Sequence, residues 1–413
     1  MPKPTVPLSG LRVLELGELL AGPLVGTLLG EFGAEVIKVE RPGRGDVLRQ
    51  FGPISDGESV FWKVNARNKK SIVLDLGKAE AKSILRDLLG VSDVLVNSLR
   101  PGTLESWGFT EQRLTSDFPR LVRVYASAYG RNGPYADKGG YDPIAQGFSG
   151  LSFLTGEADG PPMRAGGAIP VCDFMTGFAG ALGAVIALYR RDVEGSEEKG
   201  TGGAVDIALY DVAFRMLGPL LAHYDLTGTV WRRDGNHSLG GAPTGHFLAK
   251  DGNWICTSVQ NDEQFARLAK LVGRPEWFDD PRFKSLRLRT QNRDAIEDVV
   301  AQWFKQKSRG EILSAFEDLG LPVGPINSMA DLAIDPHLAL RSTFEASSGT
   351  KTYRQPRRVP KLDHGFEPNH GKSPSHGEHT VEVLDQLLKY PKEKVDALLR
   401  GRVVATAVVG FSP

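Results

Sequence analysis

The chain has 413 residues, 50 Lys+Arg against 50 Asp+Glu, 48 Gly, 26 Pro and 2 Cys, and 41% of it is hydrophobic. At roughly 150 residues per domain this is about two to three domains, each able to bury a core. A formal net charge of +0 supplies no global field for nucleic acid or an anionic membrane, so any anionic ligand must be held by local charge. Cys172 and Cys256 cannot form a disulfide framework and no C-x-x-C pair points to zinc, so the expected compartment is the reducing cytoplasm. The start, MPKPTVPLSG, lacks the apolar stretch of a signal peptide. The longest uncharged helical run, 174–189, has 16 residues, short of the ~20 that span a bilayer, so no membrane association is expected.

RVLEL (12–16) predicts a strand, LLAGPLVGTLLGEFG a helix and EVIKVE (35–40) a second strand. Such a unit implies a parallel sheet with a right-handed crossover. Gly22, Gly26 and Gly30 recur every four residues and so share one helix face, where missing side chains allow close approach to the sheet. Strand-like SIVLDL (71–76), helix-like AEAKSILRDLLG, and strand-like DVLVNS (93–98) and LVRVYAS (121–127) continue the alternation, which argues an open α/β domain. DVEGSEEKGTGG (192–203) predicts an exposed connection before the β-prone AVDIALYD. HFLAKDGNWICTSV predicts a hairpin around Asp251-Gly252, followed by amphipathic helices near 262–272, 291–306 and 309–319. These form a smaller α+β domain. The stretch 350–372 is irregular, and TVEVLDQLLKY closes the chain with a helix.

Asp173 stands directly before FMTGFAGALGAVIALY, and two arginines follow at 190 and 191. One reading makes it a helix N-cap ahead of a helix that is apolar on every side and therefore buried. The other makes it a carboxylate nucleophile at a cleft, with glycine-rich loops (139–150, 154–170, 234–245) bringing backbone amides to an oxyanion. Basic residues cluster locally: four against two acids from Lys38 to Arg49; Lys63, Arg67, Lys69 and Lys70 with no acid; and five against one from 351 to 365. The first two clusters lie near expected strand ends and either hold a phosphate-bearing ligand or form solvated surface. The first turn has no G-x-G-x-x-G, which argues against a nicotinamide dinucleotide. His364, His370, His376 and His379 crowd the tail without a metal-binding spacing, so no metal is expected and the segment is expected to lie at the surface.

LSGLRVLEL…LAGP (8–23), GAEVIKVERPGRGD (33–46), NKKSIVLDL (68–76), RPGTLESWGF (100–109), GRNGPYADKGGYDPIAQGFSGL (130–151), CDFMTG (172–177), VDIALYD (205–211), GRPEWFDDPRF (273–283), LPVGPINSMADLAIDP (321–336) and HGEHT (376–380) occur in this order. Together they resemble the family III CoA-transferases, the group of formyl-CoA and carnitine CoA-transferases, with 2-methylacyl-CoA racemase as a related branch. The resemblance covers nearly the whole chain.

The resemblance implies a Rossmann-like large domain with an open parallel sheet plus a small α+β domain. The large domain would run over 1–205, a linker over 206–230, the small domain over 231–325 and a returning segment over 326–413. It further implies an interlocked homodimer and no tightly bound cofactor, with a coenzyme A thioester and a carboxylic acid as substrates. Asp173 would be the nucleophile, Asp142 an acidic group near the reacting centre, and Gly240 and Gly241 a mobile loop over it. Contacts to coenzyme A would come from Leu20, Ala21, Arg41, Leu74, Ser98, Leu99, Arg100, Lys138 and Tyr141. Leu20, Ser98 and Ser106 depart from the family's glutamine, asparagine and arginine, and Arg100 or Trp107 are expected to compensate. Tyr141 stands where the racemase branch has a histidine base, and a phenol with a pKa of ~10 is a poor base near neutrality, which favours transfer over racemisation. A coenzyme A-binding protein without turnover is the third reading. Arg164 and His246 are candidates for meeting a second carboxylate, each with an ordinary structural role as the alternative.

Overall fold

A computed structural model describes residues 6–193, 200–238, 240–348, 351–362 and 371–406. The chain divides into two compact units. The first comprises 1–153, 163–231 and 342–413, the second 154–162 and 232–341.

In the first unit, the predicted strands and helices of the N-terminal half form within about two residues of where the periodicity puts them. Strand β1 (Arg12–Leu16) leads through helix α1 (Ala21–Glu31) to β2 (Glu35–Glu40), and β3 (Lys69–Leu74) through α2 (Ala79–Gly90) to β4 (Val94–Asn97). Then follow β5 (Val122–Ser127), helices α3 (Asp142–Phe148) and α4 (Val171–Asp192), β6 (Ala204–Ala208) and, near the end, β7 (Val404–Ala405). The sheet order is β7-β3-β2-β1-β4-β5-β6, with every pairing parallel except that of β7 with β3. The order reverses direction between β1 and β4, the position at which open α/β sheets form a ligand crevice beyond the strand ends.

Both sheet faces are covered, as a parallel sheet requires. Leu14, Ile37, Ile72 and Leu95 face Ile84, Leu85 and Leu88 of α2. Val13, Val36, Val94 and Val124 face Val25 of α1 and Ala184 and Leu188 of α4. The glycine face of α1 is in contact with the sheet: a Cβ at Gly22 would stand 2.5 Å from the Ser98 Cβ, and one at Gly30 3.1 Å from a Val36 methyl. Gly180 does the same for α4, where a Cβ would come within 2.6 Å of Val25.

Two sequence expectations need correction. Helix α4 is not buried on every side. Its Gly177, Gly180, Ala184 and Leu188 are buried, whereas Phe178, Leu182, Val185, Ile186 and Tyr189 are exposed. At 22 residues it is also long and apolar enough to cross a membrane by length and composition, so the 16-residue run understated it.

The basic clusters are, for the most part, neutralised inside the fold rather than available to a ligand. Glu15 sits between Lys38 at 2.8 Å and Lys69 at 2.7 Å, and Asp46 lies 2.7 Å from Lys38. All four side chains are buried. Burial opposes the charge on Lys38, but Asp46, Glu15 and Glu40 outweigh it and hold the ammonium above the usual lysine range. Arg67 pairs with Glu31, Arg49 with Glu40 and Lys70 with Glu35 and Glu382.

The tail, expected at the surface, docks against the sheet. The Pro374 carbonyl accepts from Trp62 Nε1 and from Arg49, both at 3.2 Å; His379 Nδ1 accepts from the Ser71 amide at 3.3 Å; and His376 Nε2 lies 3.0 Å from the Arg41 carbonyl. His364, His370 and residues 194–199 of the 192–203 connection lie outside the described residues. No His, Cys, Asp and Glu group suited to a metal ion occurs among the described residues.

The second unit builds a three-stranded antiparallel sheet from the predicted hairpin (Thr244–Leu248 and Trp254–Ser258) and Val323–Pro325. Helices Asp262–Leu271, Arg293–Lys305 and Arg309–Glu317 contribute Phe265, Ile296, Phe304 and Phe316 to its core. Its extent exceeds the expected 231–325. Residues 154–162 belong to it because Gly156 O accepts from Gly235 N at 2.9 Å and Gly160 O from Arg233 Nε at 2.7 Å. Residues 326–341 belong to it because Ile326 N donates to Trp254 O at 3.0 Å and Asn327 accepts from Arg309 at 3.0 Å. The expected 206–230 linker is part of the first unit, where it folds as the end of β6 and two helices, Leu209–Met216 and Gly218–Thr227.

Removing Glu15 would leave two buried ammonium groups with Asp46 paired to Lys38 and Glu40 acting at longer range. Glu15→Ala is expected to cost about 3–5 kcal/mol, as loss of one partner of a buried ion pair does, read as a lowered urea midpoint. A change below about 1 kcal/mol, the range of exposed pairs, would contradict this view of the sheet.

Candidate active site

Asp173 is the third residue of α4 and 9% exposed. The N-cap reading is wrong: the helix begins two residues earlier, its cap position is Pro170, and no side chain caps it. Asp173 is instead one of two neighbouring acids. Asp142, at the start of α3, is 2% exposed and held by three donors. Its Oδ1 accepts from the Cys172 amide at 2.7 Å, and its Oδ2 from Gln146 Nε2 at 2.8 Å and Arg164 Nη2 at 3.0 Å. Burial, with the charge of Asp142 second, pushes the Asp173 carboxyl up to about 7. The same two causes, with Asp173 itself, push the adjoining Cys172 thiol up to about 12, so near neutral pH the thiol stays protonated while the Asp173 carboxyl can ionise.

The start of α4 is tied to the first turn of the sheet. Phe174 packs with Leu20, Leu48 and Trp62, and Ala21 packs on the cluster that contains Cys172. That turn is in turn fixed from below. Leu19 adopts a left-handed conformation at φ 66°, Asp46 Oδ1 accepts its amide at 3.0 Å, and Lys38 donates to the Gly17 carbonyl at 3.0 Å. A non-glycine residue in this region persists only where its surroundings over-determine it. The buried Lys38–Asp46 pair supplies that constraint.

Beyond the ends of β1, β2 and β3 opens a cavity of about 330 Å³. Arg41, Leu74 and Leu99 line it, as does Trp107, one of the two residues, with Arg100, expected to compensate for the departures from the family. Glu18, Glu40, Asp46 and Asp75 line it too, and Arg41 is paired with Glu18. The cavity is therefore less basic than the sequence clusters suggest. Ser98, Arg100, Lys138 and Tyr141 are not among its lining residues. Ser98 packs against Gly17 and Gly22, and its hydroxyl is buried with no hydrogen-bond partner. Arg100 is exposed near Gly139, Lys138 lies over the Tyr135 ring at 3.9 Å, and Tyr141 is 65% exposed at the N-terminus of α3. Leu20 is buried in the hydrophobic cluster with Phe174. Gly240 and Gly241 belong to the second unit, as does His246, which lines a separate depression there with Cys256.

Gln146 was missed by sequence reasoning, although the spacing D-x-x-x-Q at the start of a helix puts Asp142 and Gln146 on one face and could have found it. Asp46 was counted only as a charge.

CoA-transferase family III matches residues 8–380, and the chain belongs to this family of enzymes. It is 36% identical over 405 residues to the succinyl-CoA–L-malate CoA-transferase beta subunit of Chloroflexus aurantiacus, covering 97% of this chain and 98% of that one. To the succinate–glutarate CoA-transferase of Agrobacterium fabrum it is 34% identical over 399 residues, covering 94% and 97%. The crystal structure of a CAIB/BAIF family protein from Brucella suis superposes with a TM-score of 0.81 at 31% identity, covering 92% of this chain and 99% of that one.

A folded-state pKa above the ordinary aspartate value of 3.8 means that the folded chain binds the Asp173 proton more tightly than the unfolded chain does. Ionised Asp173 therefore destabilises the fold, a penalty absent below about pH 4, growing through pH 7 and amounting to about 4 kcal/mol for a shift of about three units. Asp173→Asn is expected to be more stable than the parent at about pH 8 and little different at about pH 4. Equal unfolding midpoints at both values would show that the carboxyl is not perturbed.

Proposed function

We propose that the enzyme moves coenzyme A from an acyl-CoA to a free dicarboxylic or small carboxylic acid, with Asp173 as the covalent nucleophile. The observation that carries the reading is the buried Asp173 carboxyl set against the three-donor cradle of Asp142, at the helix start that packs on the first turn of the sheet. The names of both CoA-transferase relatives join dicarboxylic acids, which supports that substrate class.

On this reading an Asp173 oxygen attacks the thioester carbonyl carbon, the C–S bond breaks, and coenzyme A leaves as thiolate from a mixed anhydride. The thiolate attacks the Asp173 carbonyl carbon and expels the acyl group as a carboxylate, leaving an aspartyl-CoA thioester. The acceptor carboxylate attacks this thioester, releasing thiolate and forming a second anhydride. Thiolate then attacks the acceptor carbonyl, and Asp173 departs as carboxylate. Every step exchanges oxygen and sulfur at a carbonyl, so no redox partner or net proton is needed. Carboxylic acid and thiol pKa values differ by about 4.6 units, or about 6 kcal/mol as a crude measure of leaving ability, so the anhydride is energised and water must be kept from it. Gly240 and Gly241 are assigned that task, and backbone amides near Leu20 and Ala21 the stabilisation of the tetrahedral oxyanion. Arg41, Leu74, Leu99 and Trp107 are assigned to the nucleotide end of coenzyme A. Ser98, Arg100, Lys138 and Tyr141 are assigned contacts along the rest of the cofactor-sized substrate.

The exposed apolar side of α4, with Leu221, Tyr224 and Leu226 on the following helix, supports a homodimer as the working form. Two unpaired cysteines support a reducing, cytoplasmic setting.

The test is a screen of acyl-CoA donors against carboxylic acids, with products read by mass. Transfer to an acid is expected in the parent and its loss in Asp173→Asn. Deuterium uptake at the α-carbon of a 2-methylacyl-CoA with no acceptor acid would instead establish a racemase. Because the nucleophile must be ionised, kcat/KM for the acyl-CoA is expected to rise with pH through about 7. Asp142→Asn removes the like charge and should move this limb to lower pH; a limb that stays put would separate Asp142 from the titration.

A further inference from the structure

We propose that Arg164 is the receptor for the second carboxylate of a dicarboxylic substrate, and so sets the preference for dicarboxylic over monocarboxylic acids. The inference rests on the CoA-transfer reading and names a residue that recognises its substrate class.

Arg164 is built into the site from one side and open on the other. Its Nη2 donates to Asp142 Oδ2 at 3.0 Å, yet the side chain remains 42% exposed while that of Asp142 is 3% exposed. The backbone beside it is pinned. Gln146, fully buried, accepts from the Ala165 amide through Oε1 at 2.8 Å and reaches the Ala165 carbonyl through Nε2 at 3.3 Å. A guanidinium carries five N–H donors in a planar fork, and its free edge matches a carboxylate in bidentate geometry. The anchoring by Asp142 and Gln146 settles the orientation before a ligand arrives, which lowers the ordering cost of binding.

Charge and position agree. Asp142 lies between Arg164 and the Asp173 neighbourhood: one of its oxygens accepts from Arg164 Nη2, the other from the amide of Cys172, the residue before Asp173. Arg164 is thus offset from the reacting carbonyl by one carboxylate, where the far end of a short dicarboxylic acid reaches and a monocarboxylic acid has no group to offer. The free site holds Asp142 and Asp173 against a single guanidinium. Once Asp173 is acylated it carries no charge, the Asp142–Arg164 pair is neutral, and an incoming second anion meets the open edge of a cation.

The measurement is kcat/KM for succinate and glutarate against acetate and butyrate, in the parent, Arg164→Gln and Arg164→Lys. Any loss that both substrate classes share reports the contact with Asp142 and cancels in the ratio. Arg164→Gln is expected to lower the dicarboxylate-to-monocarboxylate ratio about 10- to 100-fold, the span of a hydrogen bond to a charged group, with Arg164→Lys between it and the parent. An unchanged ratio overturns the proposal. A second measurement needs no variant: phenylglyoxal labelling of the parent enzyme in the presence of butyryl-CoA, which acylates Asp173, read by peptide mass, is expected to spare Arg164 when glutarate is added but not when butyrate is. Equal labelling under both conditions overturns the proposal as well. If the parent enzyme transfers coenzyme A to no acid, the CoA-transfer reading fails with it. If it transfers and the ratio does not respond, only the role of Arg164 fails.

Discussion

Two carboxyl groups are kept close in a buried place, and only one of them is given partners. Asp142 receives a backbone amide, a buried glutamine and an arginine, while burial and the charge of Asp142 fall on Asp173 without comparable relief. The asymmetry gives the two acids different work. The partnered one is fixed in place by its three donors. The other is a carboxyl poised near neutral pH and costly to the fold when ionised. On the proposed reading, stability and reactivity are in opposition at this residue, as they commonly are at catalytic positions.

The rest of the first unit serves to hold that pair against the mouth of the sheet. Parallel strands direct their C-terminal ends to one edge, and the change of direction between β1 and β4 opens a crevice there. Glycines on α1 and α4 bring those helices close to the sheet and to each other, so that Phe174 reaches Leu20 and the Cys172 cluster reaches Ala21. Below the crevice, Glu15, Lys38, Lys69 and Asp46 form a charge-balanced network whose outer members fix the Gly17 carbonyl and the Leu19 amide. Buried ion pairs are weak sources of net stability. Here their clearest consequence is geometric, since they determine the conformation of the turn against which the reactive helix rests.

Much of this was legible in the sequence, and the exceptions have physical causes. Short β-prone runs and the four-residue glycine spacing located the strands of the large sheet and the face of α1, because strands buried on both faces of a parallel sheet read as near-continuous apolar runs. The hairpin of the second unit was legible from its D-G turn and the helices from their amphipathic spacing. The basic clusters misled because composition counts charges along the chain, whereas Lys38 and Lys69 meet Glu15 only through strand pairing. Asp173 before an apolar run looked like a cap, but Pro170 lies ahead of it and proline is well suited to helix starts, so the helix begins earlier. The all-round apolar pattern of α4 signalled burial, and only the sheet shows that one side of this chain leaves its apolar surface open. The contact from Arg164 to Asp142 joins residues 22 positions apart and has no periodic signal, whereas that from Gln146 lies one helical turn away and could have been found.

The central claim is that Asp173 becomes covalently acylated. Its most direct measurement is peptide mass analysis after the enzyme is incubated with acyl-CoA and quenched into hydroxylamine, which converts an aspartyl anhydride or thioester to a hydroxamate. The account predicts a hydroxamate on Asp173 that requires acyl-CoA and is absent when coenzyme A alone is supplied. Turnover with no modification of Asp173, or with the hydroxamate on another residue, would contradict it.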